Sequence, residues 1–375
     1  MRQSLLLPTL QRLHGPSITM AGYVDGDWQL PAYFGDRSAA RRVIAEEYEA
    51  LTGEGVAIAD RSWRSTVELT GRDRQSFLQG MLTNDIAAFA PGEGCRAAML
   101  GSNGQMLADV AVYCLESSLL LAVDPRAAGK LLETLDKYLI AEKVAIVDAS
   151  DRWAVITVAG GGALAAIDCV AGSAALPDKP YGSVVAQIDG VPVIITRSGP
   201  RGAAAFDLHI PVENATTLWE SLINAGARPA GEMALETVRI EAGDPAWGAE
   251  LTDGLLFPEV ELGEALSYTK GCYIGQEIVA RIHARGHTNR ALRGVLFDQG
   301  DHSMQAGDPL YPDNDSFDDV KEIGRITSVA ASPAFDGRML ALAYVRKEFN
   351  AVDTPVICRY AHREAYGTVM TIPLL

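Results

Sequence analysis

Trp153-Ala154-Val155-Ile156-Thr157-Val158, then Gly160-Gly161-Gly162, then Ala163 to Val170, reads as strand, tight turn and helix. Three strand-like runs follow, Val184 to Ile188, Val191 to Thr196 and Phe206 to Ile210, and then a helix from about Glu213 to Ala225. Consecutive strands with no helix between them predict an antiparallel α+β sandwich rather than a doubly wound sheet. The glycine turn invites a nucleotide-binding reading. GxGxxG is absent, however, and no ribose-binding carboxylate is evident, so a plain tight turn is expected.

Upstream, the same texture holds. A helix is expected from Asp36 or Ser38 to about Leu51, closed by Gly53 and Gly55. Thr66-Val67-Glu68-Leu69-Thr70 alternates as a strand, and a short helix passes through Phe77 and Leu78. Residues 97–123 hold two apolar segments around Gly101-Ser102-Asn103-Gly104, a hairpin signal. A helix around 126–140 and a strand around 143–148 complete this region, while the first 20 or so residues show no strong pattern. After Gly294 the chain turns to Asp, Gly and Pro and short strands such as Leu340 to Val345 and Val356 to Arg359, which predicts a small β-barrel or sandwich. The expected division is an extension over 1–21, α+β domains over 22–150 and 151–285, and a β-barrel domain over 286–375.

Composition narrows the function classes. The 375 residues are 48% hydrophobic and 21% charged, an ordinary globular balance. Apolar runs such as Leu5-Leu6-Leu7 fall far short of the ~20 residues of a membrane span. A net charge of -16 argues against general binding to nucleic acid or an anionic membrane. The five cysteines, at 95, 114, 169, 272 and 358, make neither CxxC nor a zinc spacing. That scatter fits a reducing compartment, and the cytoplasm is the expected location.

The most specific segment is Lys270-Gly271-Cys272-Tyr273-Ile274-Gly275-Gln276-Glu277. Its glycines permit a sharp turn ahead of a helix of about ten residues ending near Gly286. Cys272 then lies just before a helix N-terminus with Lys270 nearby, and both features favour a thiolate. A buried Cys in a turn is the alternative reading. Downstream, Arg281, His283, Arg285, His287, Arg290 and Arg293 form a basic island with no carboxylate between Glu277 and Asp298. It is either a solvated face or a pocket for an anionic ligand. His283 and His287 have the i, i+4 spacing of metal ligands, but nothing completes a site, and no metal is expected.

Lys-Gly-Cys-Tyr-x-Gly-Gln-Glu resembles the signature of the folate-binding YgfZ family, relatives of the glycine-cleavage T-protein (aminomethyltransferase). Asp60-Arg61-Ser62-Trp63, Phe77-Leu78-Gln79-Gly80 with Leu82-Thr83-Asn84-Asp85, Arg239-Ile240-Glu241-Ala242-Gly243 with Pro245, and Gly324-Arg325-Ile326-Thr327-Ser328 resemble further motifs of that superfamily. Gly26-Asp27-Trp28-Gln29-Leu30-Pro31 is more T-protein-like. The resemblance covers about Gly22 to Ile372. It implies an α+β fold of three domains in a ring or cloverleaf, with antiparallel sheets, helices and a C-terminal β-barrel, and tetrahydrofolate as the bound cofactor.

The resemblance also assigns roles. Glu241 is matched to the carboxylate that accepts from the pterin edge, with Arg239 and Lys270 carried over as cofactor-binding residues from the same motifs. The folate tail needs cations, for which Arg281 and Arg285 are candidates. Tyr113 and Trp63 are candidate flat partners for the folate rings. In the T-protein an Asp-Asp pair precedes the Tyr-bearing strand, and a carboxylate there assists transfer to the folate nitrogen. Here one position is Ala108 and the other keeps Asp109. Arg197-Ser198-Gly199 stands where the family has Tyr-x-Gly, and Cys272 where the T-protein has Asp. These departures lead to the expectation of a folate-binding accessory protein for iron–sulfur cluster assembly or repair, with Cys272 as the functional thiol and iron–sulfur proteins or their assembly machinery as partners. The alternative, supported by Asp109, is a folate-dependent aminomethyltransferase or demethylase.

Overall fold

The computed structural model describes residues 2–23, 28–172, 176–198, 205–298, 303–313 and 321–374. Gly26, Asp27, Gly199 and parts of the acidic stretch between residues 298 and 322 lie outside the described residues. The chain forms two compact units. One comprises Met1–Gly101, Leu107–Leu235 and Gly263–Ile274, the other Ser102–Met106, Glu236–Leu262 and Gly275–Leu375.

The first unit carries two larger sheets. A six-stranded sheet has the order Ser183–Ile188, Val191–Arg197, Ala205–Pro211, Trp153–Ala159, Ala57–Asp60 and Arg228–Pro229. All its pairings are antiparallel except the last, which is parallel. A five-stranded sheet has the order Gly94–Leu100, Met106–Cys114, Ser118–Val123, Ser65–Thr70 and Ala145–Asp148. Because side chains alternate along a strand, each sheet has one face for helices and one for other uses. On the six-stranded sheet, Ile156, Val158, Ile195, Leu208 and Ile210 pack with Leu218, Trp219 and Leu222 of the helix Ala215–Asn224. The expected hairpin around residues 101–104 is present, but the second apolar segment folds again at Glu116 and Ser117, giving three strands. Only two exposed polar residues mark that turn, too few to break the apolar pattern by eye.

The first 23 residues are not patternless. Leu7–His14 is a helix with Leu7 and Leu10 buried, and Leu6 joins the same core. Pro8 sits in its first turn, where a missing N–H costs nothing. Arg2–Gln3 and Thr19–Tyr23 flank Trp28–Tyr33 in a three-stranded sheet. An eight-residue helix without a side-chain cap is marginal by itself, so burial against the sheet decides its formation.

The second unit closes a six-stranded barrel, Arg290–Phe297, Arg338–Arg346, Gly324–Ser332, Pro309–Pro312, Pro355–Tyr360 and Arg363–Met370. The last strand returns to pair with the first, Val295 opposite Val369, so no edge is left open. Val295, Phe297, Leu310, Ala341, Val345 and Val369 fill its interior. No described helix is long and apolar enough to cross a membrane.

The glycine turn proves to be a packing device. Gly160 has φ +98°, and a Cβ there would lie 2.3 Å from the Ala50 carbonyl oxygen and 2.5 Å from that of Gly55. The Gly161 and Gly162 amides donate to the Gly53 and Gly55 carbonyls, both at 2.8 Å, so they are not offered to a phosphate. Gly160→Ala is therefore expected to destabilise the chain by about 2 kcal/mol or more, read from the midpoint of denaturant unfolding. An unchanged midpoint would contradict this packing.

Candidate functional site

Along Met106–Cys114 the even positions 108, 110, 112 and 114 are buried in the core, while 109, 111 and 113 face the other way. Tyr113 on that second face packs with Leu120 of its own sheet and Ile194 of the six-stranded sheet. Asp109 shares the Tyr113 face. Ala108, where the resemblance has a second aspartate, is fully buried on the opposite one. The retained carboxylate is thus the one turned to the layer between the sheets.

Asp109 is held by a residue that sequence reasoning missed. Arg96 donates from Nε to Oδ1 at 2.9 Å and from a terminal nitrogen to Oδ2 at 2.8 Å. The side chains are 9% and 18% exposed, so the pair is well shielded yet not sealed. A carboxylate has about four acceptor positions, and a bidentate arginine occupies two of them. The hairpin turn carried the signal. Arg96 lies six residues before Ser102, and Asp109 six after Asn103, so an antiparallel register centred on the turn sets them opposite each other.

Across the layer, the Ala205–Pro211 strand turns Asp207 and His209 to the same face. The His209 ring meets the Tyr113 ring edge-on, with centroids 6.4 Å apart. Thr157 donates to Asp207 through its hydroxyl. Burial pushes the Tyr113 phenol up to about 12, aided by the Asp207 charge and opposed by a Thr196 hydrogen bond and Arg64, so it remains a neutral donor. Burial likewise lowers His209 to about 4, with Asp207 opposing and Arg64 adding to the shift. Between about pH 4 and 6.5 the unfolded chain binds a proton at this histidine that the folded chain does not. Stability is therefore expected to fall as pH drops through that window, and His209→Phe to flatten this part of a stability-versus-pH curve. A slope unchanged by the substitution would count against the buried neutral imidazole. Alternation of Phe206-Asp207-Leu208-His209-Ile210 made both polar residues legible as one strand face.

The other expected site residues have different surroundings. Trp63 is half-buried beneath the Arg61 guanidinium, 5.1 Å from the ring centroid, and Arg61 is paired with Glu232 at 3.0 Å. Lys270 is 7% exposed, and its ammonium donates to the carbonyls of Gln79 and Leu82 at 2.6 Å and of Asn84 at 2.8 Å. Its three protons are all used by these carbonyls. Cys272 is exposed in the loop ahead of the helix Gln276–Arg285.

Arg239 and Glu241 are likewise engaged by partners within the chain. The five N–H donors of Arg239 go to the Glu236 carboxylate at 2.8 and 2.5 Å, to Glu250 at 2.9 Å, to the Asp244 carbonyl at 2.6 Å and to the Ser328 hydroxyl at 2.7 Å. Glu241 is 2% exposed, and its Oε1 accepts from the Ser332 hydroxyl and from the Ala334 amide at 3.2 Å. The basic island is also less free than its sequence suggests. Arg281 pairs with Glu277 at 2.6 Å on the helix surface. Arg290 and Arg293 pair with Glu259 and Glu261, carboxylates from earlier in the chain. The Arg285 side chain lies outside the described residues. Among the described residues no cluster of His, Cys, Asp and Glu could hold a metal ion.

Comparison with known families decides the class. Residues 20–270 match the GCVT N-terminal domain, and residues 290–375 match the glycine cleavage T-protein C-terminal barrel domain. The chain belongs to the glycine cleavage T-protein family. It is 28% identical over 355 residues to an aminomethyltransferase of Halalkalibacterium halodurans, covering 93% of this chain and 92% of that one. It is likewise 28% identical over 338 residues to an aminomethyltransferase of Bacillus subtilis, covering 88% of each. The structure superposes on the glycine cleavage system aminomethyltransferase T of Bartonella henselae with a TM-score of 0.86 at 19% identity, over 100% of this chain and 98% of that one. This likeness shows the T-protein fold. Family membership is thus established for the superfamily, without singling out its YgfZ branch.

Proposed function

We propose that this T-protein relative is a folate-dependent one-carbon transferase, moving the methylene carbon of an aminomethyl donor to tetrahydrofolate as the donor's amine leaves. Members of its family use tetrahydrofolate. The observation that carries the reading is Asp109, retained on the face between the sheets and fixed there by Arg96. The layer also suits a flat, hydrogen-bonding heterocycle: it presents the Tyr113 and His209 rings, the Asp207 carboxylate and a buried His209 nitrogen with no protein partner. Tetrahydrofolate would supply a nucleophilic ring nitrogen as carbon acceptor. Asp109 would take the proton leaving that nitrogen, with two acceptor positions left after Arg96 is served, while Tyr113 would line the ring.

The test is methylene transfer by the purified chain supplied with tetrahydrofolate and donors whose carbon is already at the oxidation level of the product, an aminomethyl-lipoyl carrier and small N-hydroxymethyl amines. Formation of 5,10-methylene-tetrahydrofolate supports the reading. Tight folate binding with no transfer from any donor class sinks it.

A second reading rests on one observation. Cys272 is exposed in its loop and so within reach of another protein, as the iron–sulfur accessory role requires. One thiol cannot hold a four-thiolate cluster alone, so that role would be transient. Normal activity of cluster-dependent enzymes in cells carrying Cys272→Ala would remove it.

A further inference from the structure

Buried polar atoms are almost always paired, and those that are not call for a physical reason. Two such atoms belong to the face between the sheets: Nδ1 of His209 and Nε1 of Trp153. Both side chains are on one face of the six-stranded sheet, since Val155 lies directly opposite His209 and Trp153 is two residues along the same strand. One lacks a donor and the other an acceptor. Neither is needed by the transfer chemistry assigned to Asp109.

The hydrogen bonds around His209 assign its tautomer. The Thr196 hydroxyl donates to the Asp207 carbonyl at 3.4 Å, and lies 3.4 Å from His209 Nε2. A hydroxyl has one proton to give, and with it given to the carbonyl the network assigns Nε2 as the donor toward Thr196, the tautomer that the proposal below takes and its test checks. Nδ1 is then a bare lone pair in a side chain that is 2% exposed and packs edge-on with the Tyr113 ring.

We propose that His209 Nδ1 is a specificity-determining acceptor of this site, taking a hydrogen bond from a ring N–H of the bound reduced pterin. The role rests on the folate reading above and adds to it a residue that binds without taking part in proton transfer. Low basicity suits it: an imidazole that stays neutral near neutral pH keeps its lone pair for the ligand. Trp153 Nε1–H supplies a donor on the same face for an acceptor of the ligand. Both atoms are shielded from solvent by neighbouring side chains, so a pterin ring that reaches them replaces those contacts.

The experiment is calorimetric titration of tetrahydrofolate into the full-length chain and three variants, with thermal melting of each. In His209→Asn the amide oxygen takes the place of Nδ1, in His209→Gln a polar atom takes the place of Nε2, and His209→Phe has neither. Binding by the Asn variant within about threefold of the parent, with the Gln and Phe variants weaker by about tenfold to a hundredfold, is the expected result. Equal binding by all four chains overturns the role and assigns the orphaned atom to an ordered water. Equal loss in the Asn and Gln variants, with native melting, also overturns it. Should the Phe variant not fold, the Asn and Gln pair carries the comparison. No binding by the parent chain overturns the folate reading itself, and this role with it.

Discussion

Asp109→Asn is expected to slow one-carbon transfer by about a hundredfold to ten-thousandfold, the span usual for loss of a general acid–base group. Asparagine has nearly the same shape but takes up no proton, so tetrahydrofolate affinity should change much less than turnover. The substitution also weakens the bidentate contact with Arg96, because one amide atom of asparagine is a donor facing a donor. Arg96 is 9% exposed and would be left with an incompletely compensated charge, so some loss of stability accompanies the loss of rate. Rates are therefore to be read at a temperature where melting shows the variant folded. Arg96→Gln separates the two effects, since it leaves the carboxylate in place and removes its clamp. Turnover of the folded Asp109→Asn variant equal to the parent would exclude this carboxylate from the chemistry.

Glu250→Ala is expected to cost about 3–5 kcal/mol of stability, as loss of one partner from a buried charge pair generally does. The Glu250 side chain is fully buried. Its Oε2 accepts from Arg239 and from the Ala246 amide at 3.0 Å, and its Oε1 from the hydroxyls of Thr327 and Ser328, both at 2.7 Å. Removing it takes an acceptor from four donors at once, of which Thr327 keeps the Leu342 carbonyl at 2.9 Å, and leaves Arg239 only the more exposed Glu236 as a carboxylate partner. The double variant Arg239→Met with Glu250→Leu should recover much of the loss, because a buried ion pair is often replaceable by apolar side chains of similar volume. Urea unfolding of the two single variants and the double variant measures both effects. A loss below about 1 kcal/mol for Glu250→Ala would mean that the network contributes little.

These two networks separate motif from mechanism. Lys270, in the most diagnostic motif, secures the carbonyls of Gln79, Leu82 and Asn84, which belong to another recognisable motif. Thr83 and Asn84 return the link by donating to the carbonyls of Ala265 and Glu264. Arg239 and Glu241 do the same inside the barrel-bearing unit, through Ser328, Ser332 and Ala334. A motif residue that satisfies buried backbone groups is as constrained as one that touches a ligand, and in the linear chain the two cannot be told apart.

Local order was legible from residues alone wherever the signal is itself local. Alternation marked the strands Trp153–Ala159 and Ala205–Pro211, and paired glycines marked the start and end of Gln276–Arg285. Those periodicities, together with consecutive strands lacking helices between them, pointed to the α+β class and to a C-terminal barrel or sandwich, because burial of one strand face depends on a spacing of two; closure came with the pairing of Val295 and Val369. Asp109 and Tyr113 were likewise visible as one strand face. Charge pairing was not. The arginines at 290 and 293 looked unopposed until Glu259 and Glu261 were brought to them, and Arg239 looked available until Glu236, Glu250 and Ser328 enclosed it. A hydrogen bond or ion pair acts over about 3 Å whatever the separation along the chain, so which polar groups remain for a ligand is settled only when distant segments meet.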